Sequence, residues 1–158
     1  MSKRPKRRYA RRSVVREHPQ HAYGSKGATL LSRKEIAPQE AIKQISKGLA
    51  FSELEHLRHE IDEPMESLAR QLSISRSTLQ RRKAERRLSP QESDRVIRFW
   101  KILQHAVDLF GTVDRARTWL KHPQFGLGGA VPMEFAKTEA GAREVDDLLG
   151  RIDYGVYS

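Results

Sequence analysis

Residues 65–84 read MESLARQLSISRSTLQRRKA, and their spacing decides the architecture. Leu68, Leu72, Ile74 and Leu79 put apolar side chains where two crossing helices must touch. Ala69 is small at the point of closest approach, and Ser75 stands where the second helix needs an N-cap. This is a helix-turn-helix pattern. Arg76, Ser77, Gln80 and Arg81 then fall on the outward face of the second helix. Arginine can hold guanine through two hydrogen bonds, glutamine can do the same for adenine, and serine reaches base edges or phosphate. Residues 76–87 hold six Lys/Arg and one acid, so Arg82, Lys83, Arg86 and Arg87 are candidate phosphate contacts or supports. Ser73 stands where the turn usually has glycine, at a position that often needs a positive φ, which predicts a strained or longer turn. A plain helical hairpin with a solvated basic face would show the same spacing.

Helical signals continue on both sides. Upstream, a helix opens at Pro38 with Ala41, Ile42 and Ile45 as its stripe and Gly48 as its stop. A second helix is predicted from Ser52, its N-cap, to Ile61, with Phe51, Leu54, Leu57 and Ile61 apolar. Asp62 and Pro64 open the third. Downstream, Ser89-Pro90-Gln91-Glu92 combines a capping box with proline at the first helical position. That helix should run to Phe110 and end at Gly111. Val96, Phe99, Trp100, Leu103, Val107 and Phe110 form one face, widened by Ile97, Ile102 and Leu109. So apolar a helix is either central to the fold or shared across a dimer. A shorter helix follows with Val113, Ala116, Trp119 and Leu120 inward, and His122-Pro123 stops it. Residues 123–132 read as a glycine-rich loop. Thr138 caps a last helix with Ala142, Val145, Leu148, Leu149 and Ile152 as its stripe, and residues 153–158 trail off as DYGVYS. No strand alternation is evident, so the predicted fold class is all-α.

The chain has 158 residues, 30 Lys/Arg and 20 Asp/Glu, a formal net charge of +10. Residues 1–34 carry 11 Lys/Arg and one acid, Glu17, so this segment alone accounts for the excess. Its apolar residues are too few and scattered to bury a core, which predicts a basic flexible arm. The arm is either a solubilising tail or a phosphate-binding segment whose contribution falls with salt. No amphipathic stripe favours a membrane surface. The absence of cysteine excludes a disulfide scaffold, a cysteine nucleophile and a thiolate metal site. No run approaches the ~20 apolar residues of a membrane span, and no signal-peptide pattern follows the basic start. A soluble cytoplasmic protein with no membrane partner is expected.

No catalytic constellation assembles. His56 and His59 sit three apart on a predicted helix, but no carboxylate-and-histidine set completes a metal site. FGLGG at 125–129 lacks the following Lys-Ser/Thr and the preceding strand of a phosphate loop. Asp146 and Asp147 are adjacent, so they diverge around a helix rather than pair for acid–base work. Neither catalytic residues, nor metal ligands, nor a cofactor are expected, and an enzyme is not.

Several stretches carry a more specific signal: TLQRRKAERRLSPQESDRV at 78–96, AVDLFG at 106–111, ARTWLKHPQFGLGGAVPMEF at 116–135 and TEAGAREVDDLLGRIDYGVYS at 138–158. Through them the chain, from about Gly48 to Tyr157, resembles the Xre/MbcA/ParS antitoxin family of bacterial toxin–antitoxin pairs. In particular it resembles the Xre antitoxins that accompany RES-domain toxins. The resemblance implies a helix-turn-helix that binds the operon's own promoter, and a C-terminal domain that covers the active site of an NAD-consuming toxin. It implies that Tyr154, Gly155, Val156, Tyr157 and Ser158 lie in or over the toxin's substrate pocket. Two tyrosines on a short tail offer large flat surface at small rotamer cost, though a frayed terminus packed on the chain itself would read the same way. The expected organisation is an arm at 1–35, a helix-turn-helix domain at 36–104 and a small helical toxin-binding domain at 105–158. A homodimer on palindromic operator DNA and a RES-domain toxin are the expected partners. The competing readings are a stand-alone regulator with a dimerising or sensing C-terminal domain, and a nucleoid-associated protein driven by the arm.

Overall fold

The computed structural model describes residues 30–32 and 36–155. The rest of the basic arm lies outside the described residues, as do Val156, Tyr157 and Ser158 of the expected toxin-binding tail. The described chain is all-α: α1 Pro38–Lys47, α2 Phe51–Ile61, α3 Met65–Gln71, α4 Arg76–Glu85, α5 Pro90–Phe110, α6 Val113–Lys121, α7 Pro132–Phe135 and α8 Glu139–Asp153. Short 3-10 turns stand at Leu30–Ser32 and Phe125–Leu127. Among the described residues the extended pairings are isolated bridges, Ala50 with Arg87 and Gln124 with Ala130.

The 21 residues of α5 make a rod of about 30 Å around which α1, α2, α6 and α8 pack. Val96, Ile97, Phe99, Trp100, Ile102, Leu103 and Ala106 are buried, and Val107, Leu109 and Phe110 are partly so. The apolar face of α5 is therefore core, which decides between the two roles open to it. One contiguous set of buried side chains runs from Leu31 to Leu149. The expected start of α5 is present in full: Ser89 Oγ accepts from the Glu92 N–H and the Glu92 carboxylate accepts from the Ser89 N–H. Gly111 ends the helix at φ 81°.

Four expectations are corrected. Ser52 does not cap α2; the helix begins one residue earlier and Ala50 holds the cap position. The Phe51 N–H is satisfied instead by the Arg86 carbonyl at 3.0 Å. Asp62 does not open α3 but closes α2 in the left-handed conformation, its N–H directed at the Arg58 and His59 carbonyls. Leu31, assigned to the arm, is fully buried. The Glu53 carboxylate accepts from the N–H groups of Leu30 at 2.6 Å and Leu31 at 3.0 Å, which fastens this turn to α2. The 123–132 loop also holds more structure than expected, since the Phe125–Leu127 turn lies in it and α7 starts at Pro132.

The segment after α4 is stitched to the linker between α1 and α2. The Leu88 N–H donates to the Leu49 carbonyl at 2.8 Å, and Arg87 Nη1 donates to the carbonyls of Lys47 and Gly48. Gly48 has φ 79°, and a Cβ there would lie 2.2 Å from the Leu88 carbonyl oxygen. Gly48→Ala should therefore lower the unfolding free energy by about 2 kcal/mol or more, because it combines left-handed strain with a backbone clash. The check is Tm; an unchanged Tm would show that the linker does not need this close approach.

Candidate functional site

The turn between α3 and α4 is built as the spacing requires. Leu68, Ala69, Leu72, Ile74 and Leu79 are buried. Ser73 has φ 54°, so it occupies the glycine-like position as a non-glycine. The N–H groups of Ser73 and Ile74 close α3 by donating to the Arg70 and Ala69 carbonyls. Ser75 caps α4, its Oγ accepting from the Thr78 N–H at 3.2 Å and meeting the Ser77 and Thr78 hydroxyls at 3.1 and 2.9 Å. Arg76, Ser77, Gln80, Arg81 and Lys83 all stand exposed on α4.

Arg82 is placed differently. It is partly buried, with Nε donating to Glu92 Oε2 and Nη1 to Glu85 Oε2, each at 2.7 Å. Of the two roles open to it, this engagement with two carboxylates fits support. Arg87 is likewise engaged with the α1–α2 linker, while exposed Arg86 caps α4 in the left-handed conformation. Burial alone would raise the Glu92 carboxyl. The Ser89 N–H and the Arg82 guanidinium outweigh that and hold it below its ordinary value of 4.5.

At the other end of the molecule, α8 is anchored by Ala142, Val145, Leu148 and Leu149. Thr138 caps it by accepting from the Gly141 N–H at 3.0 Å. Gly141 is needed there, since a Cβ would fall 1.9 Å from the Phe135 carbonyl oxygen. The Tyr154 and Gly155 N–H groups continue the helical bonding to Gly150 and Ile152. Tyr154 is 84% exposed, so its ring is not packed back on the chain, and Gly155 turns away at φ 69°. The other expected tail residues lie outside the described part.

Along α6 runs an open groove of about 490 Å³ lined by Phe110, Asp114, Arg115, Thr118, Trp119, His122 and Gln124. Trp119 and Phe110 meet at a tilt in its wall, ring centroids 5.7 Å apart. Two features were missed in the sequence. Phe125 is 95% exposed. Arg117 and Lys121 reach from α6 to the end of α2: Arg117 donates to the Glu60 and His59 carbonyls, and Lys121 to the Asp62 carbonyl and the Glu63 carboxylate. An exposed Phe among glycines was a visible sign of the first. Nothing local signals the second.

His56 packs at a tilt against Trp100, ring centroids 5.4 Å apart, and His105 Nδ1 lies 2.8 Å from Asp146, joining α5 to α8. Among the described residues no group of three or more His, Asp or Glu could hold a metal ion, and no helix is long and apolar enough to cross a membrane.

Comparison with known proteins agrees with this two-ended layout. Residues 40–100 match the family model of the antitoxin Xre-like helix-turn-helix domain. Residues 105–155 match that of the antitoxin Xre/MbcA/ParS C-terminal toxin-binding domain. The chain is 37% identical over 119 residues to an antitoxin Xre of Yersinia enterocolitica, covering 74% of this chain and 80% of that protein. It is 30% identical over 145 residues to an antitoxin Xre of Pseudomonas putida, covering 90% and 89%. A Sphingobium protein named Prs ADP-ribosylating antitoxin is 24% identical over 132 residues, covering 77% and 83%.

Because Glu92 is depressed, its contribution to stability is complete above pH 4.5 and is lost as pH falls through the lower value of the folded state. Glu92→Gln should cost about 1–2 kcal/mol at pH 7, through weakened bonds to Arg82 and Ser89. It should also flatten the loss of stability below pH 4.5. Urea unfolding between pH 3 and 7 reads both; parallel curves for the two proteins would show that the carboxylate is not a hub.

Proposed function

Because the chain belongs to the Xre antitoxin family, as a type II antitoxin with a helix-turn-helix and a toxin-binding domain, we propose that it neutralises a RES-domain, NAD-consuming toxin and represses its own operon. Its partners are then that toxin and operator DNA, and its compartment is the cytoplasm. We read it as a non-enzymatic regulator that binds as a homodimer, with the division at 36–104 and 105–158 separating the two tasks.

On the DNA side, Arg76, Ser77, Gln80 and Arg81 read base edges, Lys83 holds phosphate, and Arg82 acts from behind by fixing α4. The exposure of the first five and the double engagement of Arg82 support these roles. On the toxin side, Tyr154, Gly155, Val156, Tyr157 and Ser158 cover the substrate pocket. The observation that carries this reading is the solvent-facing ring of Tyr154 at the end of a firmly anchored helix, within a segment similar to toxin-binding domains. An exposed aromatic on a fixed base loses little freedom when a partner buries it.

The test is co-expression with the RES-domain protein encoded beside this chain, followed by cellular NAD measurement and operator binding. Deleting residues 154–158 should leave operator binding intact and restore NAD depletion; a truncated chain that still protects NAD would place inhibition elsewhere. Arg81→Ala should weaken operator binding by about 1–3 kcal/mol and relax preference at one base pair. Unchanged affinity and preference would remove Arg81 from the recognition surface. A chain that represses transcription but binds no toxin would be a stand-alone regulator.

A further inference from the structure

Phe125 is the most exposed large apolar side chain among the described residues. Leaving a phenylalanine in water forgoes about 2 kcal/mol of burial, so its position calls for a reason. Looseness of the loop is not that reason. The segment 124–130 is closed by a pair of bonds between Gln124 and its far end: the Gln124 N–H donates to the Ala130 carbonyl and the Gly129 N–H to the Gln124 carbonyl, both at 3.0 Å. The Gln124 side chain ties the loop back to the end of α6 by donating to the Trp119 and His122 carbonyls at 2.9 and 3.0 Å.

The residues after Phe125 fix its direction. Gly126 lies on α8 so tightly that a Cβ would be 2.5 Å from Leu148 Cδ1, and Leu127 is buried. Gly128 and Gly129 take φ 64° and 84°, which close the turn. The loop is therefore pinned from the inside immediately after Phe125 and hydrogen-bonded immediately before it. What results is a large aromatic ring presented on a rigid mount, next to the groove walled by Phe110 and Trp119. Rigid, pre-presented aromatics make effective anchors because little freedom remains to be lost on binding.

The position of this mount indicates its occupant. It lies inside the segment similar to toxin-binding domains, and it rests on Leu148 of α8, the helix from which the tail extends. Leu148 and Tyr154 are six residues apart, an axial rise of about 9 Å. A protein surface engaged by the tail is thus within reach of the neighbouring mount. DNA is a poor fit, since the groove rim mixes Asp114 with Arg115 and His122, whereas Arg76, Arg81 and Lys83 stand exposed on α4.

We propose that Phe125 is an aromatic anchor that inserts into an apolar pocket of the toxin outside the toxin's active site. It holds the antitoxin in place while the tail covers the substrate pocket. This rests on the reading of the C-terminal half as a RES-toxin inhibitor, and it divides that half into a residue that fastens and a segment that blocks.

The experiment measures binding of full-length chain to the purified RES-domain protein encoded beside it, with NAD consumption as a second readout. Phe125→Ala should weaken the complex by roughly 10- to 100-fold, mostly through faster dissociation. It should still give complete inhibition at saturating concentration. Phe125→Trp should retain most of the affinity, and deletion of 154–158 should show the converse, binding without inhibition. Equal Tm values for wild type and Phe125→Ala would exclude a folding effect. If wild type and Phe125→Ala bind the toxin equally, the anchor is refuted while the inhibitor reading stands. If Phe125→Ala changes self-association and not toxin affinity, the ring faces a second copy and the proposal is overturned. If wild type neither binds nor inhibits the toxin, the inhibitor reading falls and the anchor with it.

Discussion

The first turn of α5 is where α4, the α1–α2 linker and the long central helix are joined, and the Glu92 carboxylate stands at that junction. Glu92 accepts from the Ser89 N–H, which completes the helix cap, and from Arg82 of α4, which fixes the recognition helix. Its neighbour Ser93 has no exposed surface, accepts from the Leu49 N–H at 2.8 Å and donates to the Ser89 carbonyl at 2.7 Å. Two adjacent polar side chains thus link α4, the linker before α2 and the start of α5. A buried carboxylate is costly without partners and stabilising with them, so loss of any one bond is felt at the others. That Glu92 stays below its ordinary value despite burial shows that the partners win.

The same economy joins the two ends of the molecule. The last carbonyls of α2 have no partner within the helix, and the dipole makes that end negative. Arg117 and Lys121 of α6 supply the donors, at 2.6 Å to Glu60 and 2.7 Å to Asp62. Another side of α6 carries Trp119 and Thr118 into the groove beside Phe125. One short helix therefore closes the segment that leads into α3 and also builds the wall of this groove. With a core continuous from Leu31 to Leu149, the DNA-facing and toxin-facing parts share one packed body.

What was legible in the sequence follows from the range of the interactions involved. The Ser89 capping box, Gly111 and the Thr138 cap depend on residues within four positions of each other, the helix-turn-helix spacing on one short stretch, and each is found where the sequence puts it. Ser73 adopts the left-handed φ that its place in the turn demanded. The errors came from contacts across the chain. Ser52 had the right chemistry for a cap, but a carbonyl 35 residues away already satisfied the helix start. Leu31 sat in a segment too polar to predict as folded, and Glu53 reaches it from α2. Arg82 looked like its exposed neighbours because one of its two carboxylates, Glu92, reaches it only when α4 meets α5.

The distribution of exposed side chains then separates the two interfaces by physics. The outward face of α4 is made of Arg, Ser, Gln and Lys. Such a surface binds phosphate and base edges through charge and hydrogen bonds that salt weakens, and it gives an apolar partner nothing to bury. Phe125 and Tyr154 are among the largest exposed apolar side chains, and both stand at the other end, on a pinned loop and at a capped helix terminus. Their cost in the free chain is bounded because neither opens the core: Leu127 and Leu148 beneath the loop stay buried. A chain with two partners of opposite character gains specificity from this segregation, since each surface lacks the chemistry that the wrong partner would need.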